Sequence, residues 1–288
     1  MDLLIFGTCN SILLALIATG FSLTFGISGV ANFAYGAIYV CGGLFVWALI
    51  SKAGLPYLAS IVISIITMGL FGYALYWVFL FRLRGLVLNE VIATFSGGMA
   101  ILQLLRYLGF HGYEYALPPF MEGSIEIGGV GIELQRIFMI GIGAALVLFL
   151  YFFTHHTRLG LAFRGMSQDE RTAITLGIDS DKTAALALAF GSSLATVASI
   201  TILPLGIIDI DRGFDALIFA LAVGMVGGLE SVPGVIIASF ILGFSQQFVA
   251  VFFGSAYTMV VFLSAIIFVL AVKPAGILGK FKELEERV

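Results

Sequence analysis

Long uncharged apolar runs, separated by short clusters of charge, set the pattern of this chain. From Leu3 to Ser51 no residue is charged. Those 49 residues would form a helix roughly 73 Å long at 1.5 Å per residue. A hydrocarbon core is about 30 Å thick, so the run predicts two membrane spans, broken at "GISG", Gly26 to Gly29. Further candidate spans are Pro56–Phe81, Leu86–Leu105, Ile137–Thr154 and Thr183–Leu203, and the uncharged run Ser231–Val272 holds two more, which makes eight. Between the last two groups lies Ala216–Leu229, with only 14 uncharged residues. That is short of the roughly 20 a straight span needs. It predicts either a short helix completed by its flanks or a half-helix packed inside the protein.

One segment breaks the pattern. "RLGLAFRGMSQDERTAITLGI", Arg158 to Ile178, carries five charged side chains in 21 residues between two long apolar runs. Ser167 followed by Glu170 has the S-x-x-E spacing of a capping box, and Asp169 and Glu170 fall in the first turn, where the helix dipole favours anions. Gly177 supplies a C-terminal cap. The spacing predicts a short helix over Gln168–Leu176, with Ala173, Ile174 and Leu176 available to pack. So short a helix is unstable alone in water and must pack against something. Two partners fit: the chain's own membrane domain, or another polypeptide.

Composition agrees with a membrane protein. The chain is 60% hydrophobic and 11% charged, against about 25% charged in ordinary soluble domains. Its 27 Phe and 35 Gly suit packed membrane helices. A formal charge of −3 is too small to point to nucleic acid. The start, MDLLIF, lacks the basic region of a cleaved signal peptide, so the first apolar stretch is expected in the mature protein. If the Arg158 insert is cytoplasmic and Ala216–Leu229 crosses, the cytoplasmic side takes Arg82, Arg84, Arg158, Arg164, Arg171, Lys182, Lys273, Lys280, Lys282 and Arg287. The outer side keeps Lys52, Arg106, Arg136 and Arg212. Ten against four follows the positive-inside bias and predicts nine crossings, amino terminus outside and carboxyl terminus inside.

The longest outer loop, Gly109 to Gln135, contains "GSIEIGGVGIELQ". Ile125, Ile127, Val130, Ile132 and Leu134 alternate around Gly128-Gly129, as in a short hairpin. Its acids, Glu114, Glu122, Glu126 and Glu133, form either a docking surface or an ordinary solvated loop.

Chemistry is sparse. His155 and His156 adjoin at a helix end and His111 lies in the outer loop, so no metal spacing arises within the spans. Cys9 and Cys41 both sit in apolar runs and read as small core residues. "GILGKF" has the wrong spacing for a phosphate loop, and no catalytic constellation appears. The apparent middle of every span is uncharged. Glu90, about one turn inside its span, either neutralises Arg84 or snorkels. Carriers coupled to protons or ions usually keep ionisable groups in their spans, so energy is expected to arrive from another polypeptide.

At this point a resemblance enters. "GLAFRGMSQDERTAITLGIDSDKTAALALAFG" is similar to the cytoplasmic loop of branched-chain amino acid ABC transporter permeases. Gly160, Ala162, Arg164, Asp169, Ala173, Gly177 and Ile178 fall on its pattern, and Gly165 stands where alanine is usual. "FGISGVANFAYGAIYVCGG" and "GMVGGLESVPGVIIASFILG" resemble two further stretches of that family, in the same order. Tyr35 replaces a common histidine and Glu230 a glycine.

The resemblance implies an all-α polytopic membrane bundle of the ABC importer permease type: eight spans plus one short or broken span. It forms one domain over residues 1–288, with a coupling segment at 155–182 and an outer loop at 109–135. The permease pairs with a paralogue or a second copy, in lipid of the cell (inner) membrane. Two cytoplasmic ATPases hold ATP and Mg, and a soluble binding protein delivers substrate outside. No catalytic residue, metal or cofactor is expected in this chain. Gly160, Arg164, Ser167, Asp169, Glu170, Ala173, Ile174 and Gly177 become the coupling residues. Asn32, Tyr35 and Gly36 become pathway candidates, because Gly26, Gly29 and Gly36 allow a helix to unwind within the membrane. A tight helix crossing with Asn32 as interhelical glue is the other reading of that stretch. Gly227, Gly228, Pro233 and Gly234 mark a second break. Cargo is an amino acid, with urea or a short amide as the alternative; a self-sufficient channel or secondary carrier is the competing class.

Overall fold

The apolar runs fold as helices, because backbone polar groups in hydrocarbon must be satisfied within their own segment. The computed structural model describes residues 2–29, 31–110, 117–120, 123–127, 130–206 and 209–279. His111, Glu114, Glu122, Gly128, Gly129, Lys280, Lys282 and Arg287 lie outside the described residues. Eleven helices occur in the described part: α1 (Asp2–Ser28), α2 (Tyr35–Ser51), α3 (Tyr57–Leu75), α4 (Val87–Tyr107), α5 (Leu134–His156), α6 (Arg158–Gln168), α7 (Glu170–Thr175), α8 (Ser180–Ile202), α9 (Arg212–Gly227), α10 (Val232–Phe252) and α11 (Thr258–Val272). A π-helical turn, Tyr76–Leu80, extends α3. Seven of the described helical stretches are long and apolar enough to cross a membrane; α2, at 17 residues, is apolar but shorter.

Helices α1 and α8 form the centre, and small residues set their spacing. A Cβ on Gly20 would lie 2.9 Å from Leu194 Cβ, and one on Gly191 would meet the Gly20 carbonyl oxygen at 3.0 Å. Such close backbone approach is the usual means of helix association in lipid, where the hydrophobic effect supplies no drive between helices. Outward faces of α3, α5 and α11 stay apolar, with Leu70, Phe152 and Ile267 exposed.

The described connections gather at two ends. At one end lie the turn 81–86, the α6–α7 insert, the turn 228–231 and residues 273–279. At the other lie the loop after α2, the hairpin and the approach to α9, tied by the Arg106–Asp211 ion pair, by Lys52 over the Phe110 ring and by Tyr57 donating to the Pro118 carbonyl. The hairpin is β1 (Ser124–Ile127) antiparallel to β2 (Val130–Glu133), in the register Ile125↔Ile132 and Ile127↔Val130 that the alternation requires.

Two breaks interrupt the bundle. Gly29 leaves the helix at φ +65°, and residues 31–34 run non-helically before α2 starts at Tyr35. Gly26 and Gly36 do not unwind anything; both are helical. Gly26 instead makes room for the turn after α9, since a Cβ there would sit 3.3 Å from Glu230 Cα. The second break follows α9. At 16 residues this helix is about 24 Å long, short for a span. It stops at Gly227, and Gly228 turns at φ +101°. Its last carbonyls, on Val226 and Gly227, accept from the amides of Ile277 (2.8 Å) and Leu278 (3.1 Å), so the segment after α11 caps α9. Ser231 then caps α10, accepting from the Gly234 amide at 3.2 Å, with Pro233 in the first turn.

Candidate coupling and pathway sites

The insert is two helices, not one. Thr157 caps α6, its hydroxyl accepting from the Gly160 amide at 2.9 Å. Gly160 lets α6 lie against the end of α5, because a Cβ would fall 2.6 Å from Thr154 Cα. Phe163 is buried beside Phe190, which stacks on Phe153 at 4.5 Å. The expected capping box is absent: Ser167 lies inside α6, and Asp169 both ends that helix and caps α7. The Asp169 carboxylate accepts from the Thr172 hydroxyl at 2.5 Å and the Thr172 amide at 3.2 Å. Those bonds, the side-chain one foremost, hold its carboxyl below the usual carboxylate range. Gly177 ends the insert at φ +87°, as the sequence leads one to expect. Ala173 is buried, whereas Ile174 and Leu176 are 50% and 77% exposed, and Arg164 is exposed.

Glu170, freed from the cap, reaches across to Arg84. Its Oε1 accepts from Arg84 Nη2 at 2.6 Å and from the Ser180 hydroxyl at 2.6 Å. Arg84 also pairs with Asp181 and donates to Ser180 Oγ. Asp181 Oδ1 in turn accepts from the Tyr76 hydroxyl at 2.8 Å. One guanidinium thus joins the start of α7, the start of α8 and the π turn that ends α3. A planar fork of donors is suited to holding several acceptors in fixed geometry. The sequence marks Arg84 only as a charge that Glu90 could neutralise, and it marks neither Asp181 nor Tyr76. Their partners are far apart along the chain, and the only local sign is an arginine in a short turn.

Beside this network lies a cavity, the more polar of two, whose walls are Ser28, Asn32, Tyr76, Arg84 and Glu90 together with apolar Leu80, Ala184 and Leu188. Asn32 sits in the unwound stretch, 4% exposed, and its side-chain oxygen accepts from the Ala34 amide at 3.1 Å. The Phe33 amide donates to Thr94 Oγ1 at 3.3 Å, so two of the amides freed by the break are satisfied, one from within the stretch and one from α4. Glu90 turns inward rather than snorkelling: it is 2% exposed and accepts from the Gly85 amide at 2.9 Å.

A second, apolar cavity lies between α2, α4 and α9. Gly36, Gly98, Met99 and Leu102 line it, together with Phe33, Phe95 and Phe214. Phe95 meets Phe33 and Phe214 edge-on, with centroids 6.3 and 6.4 Å apart. Among the pathway candidates, then, Asn32 lines the polar cavity and Gly36 the apolar one. Tyr35 lines neither of these two. It is 1% exposed, edge-on to Phe21, and its hydroxyl donates to the Ile17 carbonyl at 2.7 Å.

Comparison with known proteins shows the family of the chain. Residues 3–272 match the family described as the branched-chain amino acid transport system permease component. The chain is 34% identical over 282 residues to the high-affinity branched-chain amino acid transport system permease protein BraD of Pseudomonas aeruginosa, covering 92% of this chain and 91% of that one. It is 29% identical to the permease protein LivH of Escherichia coli K12, with the same coverage. Among solved structures, PsaBC from Streptococcus pneumoniae in complex with Fab aligns with a TM-score of 0.52 at 14% identity, covering 96% of this chain and 93% of that chain, which is a likeness of fold. With three sequence motifs in order and a family match over nearly its whole length, the chain belongs to the permease component family of branched-chain amino acid transport systems.

Proposed function

We propose that this chain is the membrane-spanning subunit of an ATP-driven importer that carries branched-chain or other hydrophobic amino acids. It crosses the membrane nine times, with α2 and α9 as short crossings beside the pathway. The amino terminus is outside, and the insert and carboxyl terminus are in the cytoplasm. The distribution of Lys and Arg between alternate connections supports that orientation.

The observation that carries the reading is the exposed apolar pair Ile174, in the short helix α7, and Leu176, its C-cap, outside the candidate spans. Ala173 seats α7 on its own chain, and the exposed pair leaves an apolar side for a second surface. A groove on a cytoplasmic ATPase, which holds ATP and Mg, provides one. Two ATPases, a paralogous permease or a second copy of this chain, and a soluble binding protein seated near the hairpin complete the importer. Asn32 and Gly36 lie on the route, where an unwound stretch between a polar and an apolar cavity suits a zwitterion with a hydrocarbon side chain.

The test is uptake into proteoliposomes holding the permease, its paralogue and the ATPases. Leucine uptake should require both ATP inside and loaded binding protein outside. Uptake driven by a gradient alone, without ATP, would overturn the reading.

A further inference from the structure

We propose that Arg84 is a positioning residue that links the α7 helix mechanically to the wall of the polar cavity. The proposal rests on the reading of α7 as the seat of the ATPase.

The chain of contacts is short and continuous. Glu170 is the first residue of α7, next to its cap Asp169. It is held by Arg84 and by the Ser180 hydroxyl, and Arg84 in turn pairs with Asp181 at the start of α8. Arg84 is itself part of the cavity wall, and the next residue, Gly85, donates its amide to the buried carboxylate of Glu90 on the same wall. Asn32, in the unwound stretch between α1 and α2, lines that cavity as well. Displacement of α7 by a partner therefore pulls on the 81–86 turn, and through Gly85 on Glu90, without passing along a whole span.

The geometry favours a strut over a loose surface pair. Isolated surface ion pairs add little to stability. Here one guanidinium engages two carboxylates and two hydroxyls, those of Ser180 and Tyr76, and the Tyr76 hydroxyl also donates to Asp181. The side chains of Arg84, Glu170 and Asp181 are only 29%, 31% and 36% exposed. Several acceptors on one planar donor leave it little freedom to move independently. The π turn at Tyr76–Leu80 belongs with this role, since such turns are frequent at functional sites and this one aims Tyr76 into the network.

The experiment uses the assembled complex of both permeases, ATPases and binding protein. It measures complex abundance, ATP hydrolysis and leucine uptake for Arg84→Gln, Arg84→Lys, Glu170→Gln and the Arg84→Gln/Glu170→Gln pair. Because groups in one network couple by amounts worth up to about a hundredfold, uptake per ATP hydrolysed should fall about tenfold or more in Arg84→Gln. Glu170→Gln should fall in the same direction, and the pair should be no worse than Arg84→Gln alone. Arg84→Lys, which keeps the charge but loses the fork, should stay nearer Arg84→Gln than wild type. Wild-type uptake per ATP in Arg84→Gln overturns the proposal. So does a loss of uptake that only tracks the amount of assembled complex, or a normal Glu170→Gln beside a defective Arg84→Gln, which would assign Arg84 to the cavity alone. Ile174→Asp separates the two claims. If it detaches the ATPase while Arg84→Gln is normal, only the strut fails. If it leaves ATPase binding intact, the α7 seat fails and the strut with it.

Discussion

Gly36 in α2 and Gly213 in α9 touch backbone to backbone. A Cβ on Gly213 would lie 2.9 Å from the Gly36 carbonyl oxygen, and one on Gly36 would collide with the carbonyl of Gly213. This contact brings the unwound stretch, the apolar cavity and the short α9 together. Gly36→Ala should therefore push the two helices apart, at a cost of about 1–3 kcal/mol or more for overpacking. Gly97→Ala, on α4 with nothing within 4 Å of the new methyl, serves as the control and should be neutral or mildly stabilising. Thermal unfolding of the purified protein in detergent checks both. Equal stability of the two variants would contradict the contact.

Asn32 and Tyr35, three residues apart, should behave differently. The Tyr35 hydroxyl makes one hydrogen bond inside the core, and such bonds in membranes average about 0.6 kcal/mol. Tyr35→Phe should lower abundance and uptake together, by about threefold or less. Asn32 holds the Ala34 amide at the edge of the polar cavity. Removing it leaves a buried amide unsatisfied, worth about 1–3 kcal/mol, in the stretch that shapes the cavity. Asn32→Ala should reduce uptake per molecule of permease, measured against surface abundance. A fall in uptake matched by abundance would make Asn32 only interhelical glue.

Orientation is open to chemical labelling. Ser124 opens the hairpin and is exposed; Gln168, at the end of α6, is exposed as well. In a background lacking Cys9 and Cys41, a cysteine at 124 should react with an impermeant thiol reagent only from outside. A cysteine at 168 should react only after the membrane is opened. Labelling of both from the same side would contradict the nine-crossing topology.

What the sequence makes legible follows the range of the forces involved. The helices of the apolar runs are readable because lipid thickness and backbone hydrogen bonding impose them segment by segment. The Ile125–Ile132 register is readable because strand alternation is local. The short α9 shows in the 14-residue run, and Gly29, Gly228 and Gly177 each mark a real turn at positive φ. Errors arise where two local solutions compete. Ser167 and Asp169 are both good caps, and the choice falls to Asp169 while Glu170, the expected second half of the box, pairs with Arg84 86 positions away. No pattern of neighbours encodes that pairing. Gly26 and Gly36 fail as helix breakers for a related reason: each is a glycine because another backbone comes close, and that backbone is distant in sequence.

The central claim is that α7 transmits ATPase closure to the spans through its exposed apolar side. Ile174 is the most direct handle, since it is half-exposed on a helix whose Ala173 is buried against the protein. Ile174→Asp would place an unpaired carboxylate in the contact. Removing such a group from water costs several kcal/mol even after relaxation, and about 3 kcal/mol weakens binding roughly a hundredfold. The measurement is ATPase co-purification and binding-protein-stimulated ATP hydrolysis by the Ile174→Asp complex at matched permease abundance. The account predicts normal membrane insertion, loss of the bound ATPase or of its stimulation, and collapse of leucine uptake. Wild-type co-purification, stimulation and uptake would contradict it and leave α7 a surface helix of the membrane domain.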